Sequence, residues 1–267
     1  MSEPPFRSLA IAGVGLIGAS IRQAAVRAWP AMPVTTVDHG DDLSAVAAAD
    51  LVVLAAPIRA NIALIGEIRP FLRRGAVVTD TGSTKRAVCE AAATHPGLVF
   101  VGGHPMAGGA KGGAANARAD LFDGRPWILT PGAAGQTAAV AAIEAFVTGL
   151  GAVPHVMTPE LHDRFAAAVS HLPQLTASAL MHVVGRLAGD AGLEIAGPGL
   201  MDTTRLAASP PDIWKDIAAT NADVLRDAID HLIGALTDVR ETLGTGEGIE
   251  SVLTSASRWR AALERSR

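Results

Sequence analysis

Cysteine is nearly absent: Cys89 is the one thiol in 267 residues. That excludes a disulfide within the chain and a cysteine-rich zinc site, and a reducing compartment is the expected setting. An excess of positive charge is also lacking. Lys and Arg number 22 against 26 Asp and Glu, a formal balance of −4, which is not the electrostatic footprint of a nucleic-acid binder. No apolar run is long enough for a membrane span of about 18 residues, and the stretch from Ala45 to Ile58 is broken by Asp50. The start, Met1-Ser2-Glu3-Pro4-Pro5, puts no basic segment ahead of an apolar one, so no secretory leader is expected. What is present is aliphatic: 49% of residues are hydrophobic and 18% charged, which suits a packed core and not disorder. A cytoplasmic protein of one large domain or two modest ones is expected.

The first 155 residues alternate short apolar runs with Ala-rich helical ones. Leu9–Ala12, Val34–Val37, Leu51–Leu54, Ala76–Thr79, Val99–Val101, Trp127–Leu129 and a last run at Val153 read as strands. Leu16–Ala28, Ile58–Leu72 and Gln136–Leu150 read as helices between them. Strands without polar alternation are covered on both faces, so the pattern predicts a Rossmann-type, doubly wound, mostly parallel α/β sheet. After Pro159 no strand follows. Leu161–Leu187, interrupted by Pro173, Pro211–Leu243 and Ile249–Leu263 read as helices, with a loop at Gly189–Pro198. The expected division is a nucleotide-binding domain over 1–155 and an all-helical domain over 156–267. The stripe Ile217, Leu225, Ile229, Leu232 and Leu236 needs a covering surface, so a dimer is expected.

Gly13-Val14-Gly15-Leu16-Ile17-Gly18 follows the first strand and opens the first helix. In that setting the first glycine makes the tight turn, the second admits a pyrophosphate, and the third packs helix on strand. The free N–H groups of the helix start favour phosphate. Asp38 ends the second strand 20 residues after Gly18, where its carboxylate accepts ribose hydroxyls and repels a 2′-phosphate. NAD is the expected cofactor, with Ala55 and Pro57 passing beside it. Two further segments lie at strand ends: Thr79-Asp80-Thr81-Gly82-Ser83-Thr84-Lys85 and Gly102-Gly103-His104-Pro105-Met106-Ala107-Gly108. Ser83 reads either as a site hydroxyl or as the N-cap of a helix over Thr84–Ala93. His104 reads either as a proton acceptor or as a loop histidine held by Pro105.

These motifs, with Leu121-Phe122-x-Gly124 and Leu129-Thr130-Pro131, resemble the prephenate/arogenate (cyclohexadienyl) dehydrogenase family. The helical half agrees through Leu161-His162-Asp163, Ser170-His171-Leu172-Pro173, Asp202-x-Thr204-Arg205-x-Ala207 and Ile213-Trp214-x-Asp216-Ile217 with Asn221. The resemblance implies NAD-dependent oxidative decarboxylation of prephenate to 4-hydroxyphenylpyruvate in tyrosine biosynthesis, by a homodimer joined through the helical domain. Arogenate, both substrates together, or 4-amino-4-deoxyprephenate are the alternatives. It implies that His104 takes the hydroxyl proton, that Ser83 hydrogen-bonds beside it, and that Arg205 binds a carboxylate. Trp214 is implied near the pocket of the neighbouring subunit; ordinary core or dimer packing is its other reading. His162, Asp163, His171 and Asp202 read as helix–helix hydrogen bonders, and no metal is expected.

Two positions depart from the family pattern. Gln174 stands where many members carry a second His approaching the substrate side chain, and Ala110 stands where many carry an acid. Gln174 is expected to face that side chain and help set the choice between prephenate and arogenate. The chain is expected to be monofunctional, with neither a mutase nor a regulatory module. A hydroxyacid or imine-reducing dehydrogenase is disfavoured, because the first long helix lacks a lysine. A redox-sensing nucleotide-binding regulator is disfavoured by the acidic balance and the absence of a basic recognition helix.

Overall fold

The computed structural model describes residues 3–109, 111–132 and 136–265; Ala110 lies outside them. By packing, the chain forms two units, Met1–Asn221 and Ala222–Arg267.

The first unit is built on seven strands: β1 (Leu9–Ala12), β2 (Val34–Val37), β3 (Leu51–Leu54), β4 (Val77–Asp80), β5 (Val99–Pro105), β6 (Pro126–Pro131) and β7 (Val153–Val156). Their order is β2-β1-β3-β4-β5-β6-β7. All neighbours pair in parallel except β5 and β6, which are antiparallel. The uninterrupted apolar strands β1 and β3 are buried on both faces. Helices α1 (Leu16–Ala28) and α4 (Thr137–Gly149) cover one face, with Ile21, Ala24, Ile143 and Phe146 packed on Ile11 and Val53. Helices α2 (Ile58–Ile68) and α3 (Arg86–Ala93) cover the other through Ile65, Ile68, Val88 and Ala92. Each fully buried Ile or Leu contributes about 1.5–3 kcal/mol.

Helix α5 (Pro159–Ala166) starts where Thr158 accepts from the Leu161 N–H at 3.2 Å and Pro159 takes the first turn. A π-helical turn over Ala167–His171 leads into α6 (Leu172–Leu193), which breaks at Gly189 with φ +58°. Pro173 therefore sits directly after the π turn, as the second residue of α6. Helix α7 (Pro198–Thr204), a 3₁₀ turn over Arg205–Ala208 and α8 (Pro211–Thr220) complete this unit. Arg59 on α2 binds Asp216 on α8 at 2.6 Å, tying the helical segment to the sheet layer.

The helix predicted over Pro211–Leu243 is two, because Asn221 interrupts it. Its buried amide donates to the Asp163 carbonyl at 2.9 Å and accepts from Arg86 at 2.9 Å. In the second unit, α9 (Ala222–Glu241) and α10 (Glu247–Arg265) pack on each other around a turn with Gly246 at φ +79°. No described helix is long and apolar enough to cross a membrane.

Candidate active site

The strand order reverses between β1 and β3, and the crevice outside that point is where open α/β sheets hold ligands. Gly13 sits there at φ +102°, and a Cβ on it would lie 2.7 Å from the Ala55 carbonyl. A Cβ on Gly18 would lie 2.0 Å from the Gly13 oxygen. On Gly15, the N-cap of α1, a Cβ would meet nothing within 4 Å. The first and third glycines are thus demanded by packing, and the second leaves open space before the free N–H groups of Leu16, Ile17 and the rest of that turn. The Gly13 N–H donates to the Val37 carbonyl at 2.8 Å, which draws the loop beside exposed Asp38. Ala55 N donates to Ala12 O at 2.7 Å, and Pro57 caps α2. Buried Asn61 accepts from Ala56 N at 3.0 Å and holds that turn. A pyrophosphate over Gly15 with a ribose at Asp38 fits this cradle.

His104 lies within β5, opposite Ile128 of β6, and not in a loop after the strand. Its backbone is fixed by the sheet, which is a more rigid mount than the predicted loop. The side chain is buried, and Nδ1 lies 2.8 Å from Nε2 of His162. The Nδ1 of His162 lies 2.8 Å from Asp163 Oδ1. With both imidazoles neutral, this chain has one assignment of protons. The carboxylate of Asp163 only accepts, so His162 donates from Nδ1 and its Nε2 carries the lone pair. His104 then donates from Nδ1, and its own Nε2 is left as the acceptor, a base aimed away from the relay. Burial, followed by the charges of His162, Lys85 and His171, holds His104 well below the usual histidine range, so it is neutral at pH 7. Burial works to raise Asp163, but hydrogen bonds from His162 and from the backbone of Arg86 and Lys85 outweigh it and keep the carboxyl below its ordinary value.

Asp163 also caps α3 from outside, accepting the Lys85 and Arg86 N–H groups at 2.7 and 3.0 Å. Ser83 is therefore not the N-cap: α3 starts at Arg86, and the half-buried Ser83 lies in the turn before it. Beneath this turn, buried Lys85 donates to Asp80 at 2.5 Å and to the Gly103 carbonyl at 2.6 Å. Asp80 accepts from Gly103 N at 3.0 Å and Gly82 N at 2.8 Å. The buried pair thus fastens the Ser83 turn to the residue before His104.

His171 is fully buried, with neither ring nitrogen hydrogen-bonded, and packs edge-on against half-buried Trp214 at 6.1 Å. Arg205 is exposed at the head of its 3₁₀ turn. Gln174 is buried on α6. Its amide is bound by protein, to the Leu206 carbonyl at 2.7 Å, the Ser178 hydroxyl at 3.3 Å and the Ser209 hydroxyl at 3.1 Å. No group of three or more metal-ligating side chains occurs among the described residues. His162 and Asp163 are the residues whose site position the sequence reading missed. The adjacent His-Asp pair was visible, but nothing in its spacing tells which strand end it faces.

A glycine-loop cradle at the sheet's switch point and a buried, neutral imidazole on β5 are the parts that a dinucleotide-dependent dehydrogenase needs. Residues 10–156 match the family model of the prephenate dehydrogenase nucleotide-binding domain, and 158–253 that of the prephenate dehydrogenase dimerization domain. The chain belongs to the prephenate dehydrogenase family. Cyclohexadienyl dehydrogenase of Zymomonas mobilis is 32% identical over 265 residues, covering 91% of this chain and 90% of the relative. The crystal structure of prephenate dehydrogenase from A. aeolicus with hydroxyphenyl propionate and NAD+ matches with a TM-score of 0.87 at 25% identity, over 100% of this chain and 99% of that one. Synechocystis arogenate dehydrogenase matches with a TM-score of 0.82 at 26% identity, over 96% and 99%.

Proposed function

We propose that the chain oxidatively decarboxylates prephenate to 4-hydroxyphenylpyruvate with NAD+, and does so as a homodimer. The observation that carries the chemistry is the Asp163–His162–His104 relay, which leaves a neutral Nε2 ready to take a proton. Bound over Gly13–Gly18 with its ribose at Asp38, NAD+ supplies the hydride acceptor. His104 takes the proton of the ring hydroxyl as the carbon bearing it gives up hydride. The ring carboxylate then leaves as CO2, its electron pair making the ring aromatic, and the ring oxygen recovers a proton. His162 and Asp163 spread the charge that His104 gains. Ser83 hydrogen-bonds the same hydroxyl, Arg205 holds a substrate carboxylate with its planar fork, and Trp214 lines the pocket.

Arogenate is the second substrate reading. It carries the same reacting ring, and the Zymomonas and Synechocystis relatives bear cyclohexadienyl and arogenate names. Absorbance at 340 nm with NAD+ and each substrate in turn tests both readings. NADH formation with prephenate is expected, with NADP+ far poorer because Asp38 repels its phosphate. His104→Ala is expected to cut kcat by roughly 10²–10⁴ while NAD affinity holds. No absorbance change with either substrate overturns the proposal.

A further inference from the structure

The position after Ser170-His171-Leu172-Pro173 bears an amide whose two donors are both used inside the protein. Gln174 is buried on α6, and its Nε2 faces the Leu206 carbonyl at 2.7 Å. A carbonyl only accepts, so this contact fixes which end of the amide is nitrogen. The second Nε2 donor faces Ser178 at 3.3 Å, and Oε1 accepts from Ser209 at 3.1 Å. No donor remains for a substrate side chain.

The partners form one segment. Leu206 follows Arg205 in the 3₁₀ turn over Arg205–Ala208, and Ser209 closes that turn by donating its N–H to the Leu206 carbonyl at 3.2 Å. The other hydrogen bonds of this stretch are internal to it: Thr203 to Gly199 and Thr204 to Leu200, both 2.7 Å, the Leu200 N–H to Gly197 at 3.2 Å, and the Ser209 hydroxyl, whose one proton is shared with Gln174 Oε1, to the Leu206 carbonyl at 3.0 Å. Among the described residues, Gln174 alone hydrogen-bonds residues 197–210 from outside. The turn packs on α6 through side chains that are at most half-buried, Leu206 and Ala207 among them. The Arg205 guanidinium, exposed and long, depends on that turn for where it points.

We propose that Gln174 is a positioning residue, clamping the turn that presents Arg205, and that it acts on substrate affinity through that arginine and not by touching the substrate side chain. The inference rests on Arg205 binding a carboxylate that prephenate and arogenate share. It follows that position 174 affects both substrates equally.

The test is steady-state kinetics on the full-length enzyme carrying Gln174→Met, which keeps the bulk and removes the hydrogen bonds. KM should rise about tenfold for prephenate and by the same factor for arogenate, with kcat within about twofold and the KM for NAD+ unchanged. In the Arg205→Ala background, adding Gln174→Met should produce no further rise, because the clamped group is gone. Ser209→Ala, which removes one partner of the clamp, should raise KM about two- to threefold; it carries the test if Gln174→Met does not fold. An unchanged KM in these variants overturns the proposal. So does a prephenate-to-arogenate ratio that moves several-fold, the mark of direct contact, or a full additional loss on top of Arg205→Ala. If Arg205→Ala itself leaves KM unchanged, the carboxylate assignment fails and takes the clamp with it. A raised KM in Arg205→Ala with none in Gln174→Met removes the clamp alone.

Discussion

A carboxylate that accepts from His162 and from two backbone N–H groups cannot be exchanged for its amide without cost. Asn offers one accepting oxygen and a donating NH2, so Asp163→Asn leaves either the α3 cap or His162 facing a donor. Where His162 loses its acceptor, its tautomer is free to invert, and His104 can turn its lone pair inward. Asp163→Asn is therefore expected to lower kcat about ten- to a hundredfold, with the KM for NAD+ unchanged, in turnover assays on protein shown folded by circular dichroism. Retained turnover would show that the relay does not orient the base. The same buried imidazoles make stability depend on pH. Burial pushes His171 down to about 4, and His104 is lowered as well. Between about 4 and the ordinary 6.5 the unfolded chain binds a proton at His171 that the folded chain refuses. Stability is thus complete above pH 6.5 and lost as pH falls toward 4, His171 accounting for on the order of 3 kcal/mol. Asp163, lowered from 3.8, titrates below that window and does not confuse it. The urea midpoint should drop between pH 7 and pH 4.5, and drop less in His171→Gln. An equal drop in both proteins would assign the loss elsewhere.

At the scale of elements, the glycine loop separates packing from ligand binding. Gly15→Ala places a methyl where no protein atom lies within 4 Å, at an ordinary φ of −75°. Its melting temperature should stay within a degree or two of the parent while the KM for NAD+ rises at least tenfold. Gly18→Ala drives a methyl into the Gly13 carbonyl 2.0 Å away, so it should lower the melting temperature as well as NAD affinity. Equal melting losses in both variants would show that Gly15 is structural. The strands and this loop were legible in the sequence because an apolar run bounded by glycine is a local signal, and local signals survive without tertiary context. Three features were not legible, each decided by partners far along the chain. His104 belongs to β5 because β6 returns antiparallel and pairs with it through Pro105. The helix after Pro211 stops at Asn221 because that amide is committed to Asp163 and Arg86, 58 and 135 residues away. The Gln174 amide donates to Leu206, 32 residues on, a partner that its neighbours in sequence do not reveal.

Assembly is the question at the scale of the whole molecule, and the second unit states it most clearly. On α10, Ile249, Val252, Ala256, Trp259 and Leu263 recur at alternating spacings of three and four residues, the pattern of an apolar seam. Trp259 is 65% exposed and Leu253 63% in the chain by itself. On α9, Ile233 and Leu236 are exposed at 54% and 60%. Two helices that cover each other on one side and show apolar stripes on the other do not stay monomeric in water at modest cost. Residues 158–253, which include α9 and the start of α10, match a dimerization domain, and in the proposed homodimer a second copy of the chain would cover this surface. An obligate interface of this kind buries more than about 2,000 Å² in total. Light scattering should then give about 55 kDa, twice the 27.3 kDa chain, at micromolar concentration. Leu236→Glu, which puts a charge into the α9 stripe, should shift the mass toward the monomer and lower the melting temperature in a concentration-dependent way, because subunit association contributes to stability. A monomer mass for the parent protein with full turnover would overturn the homodimer, and a Leu236→Glu protein that remains dimeric at all concentrations would move the interface off α9.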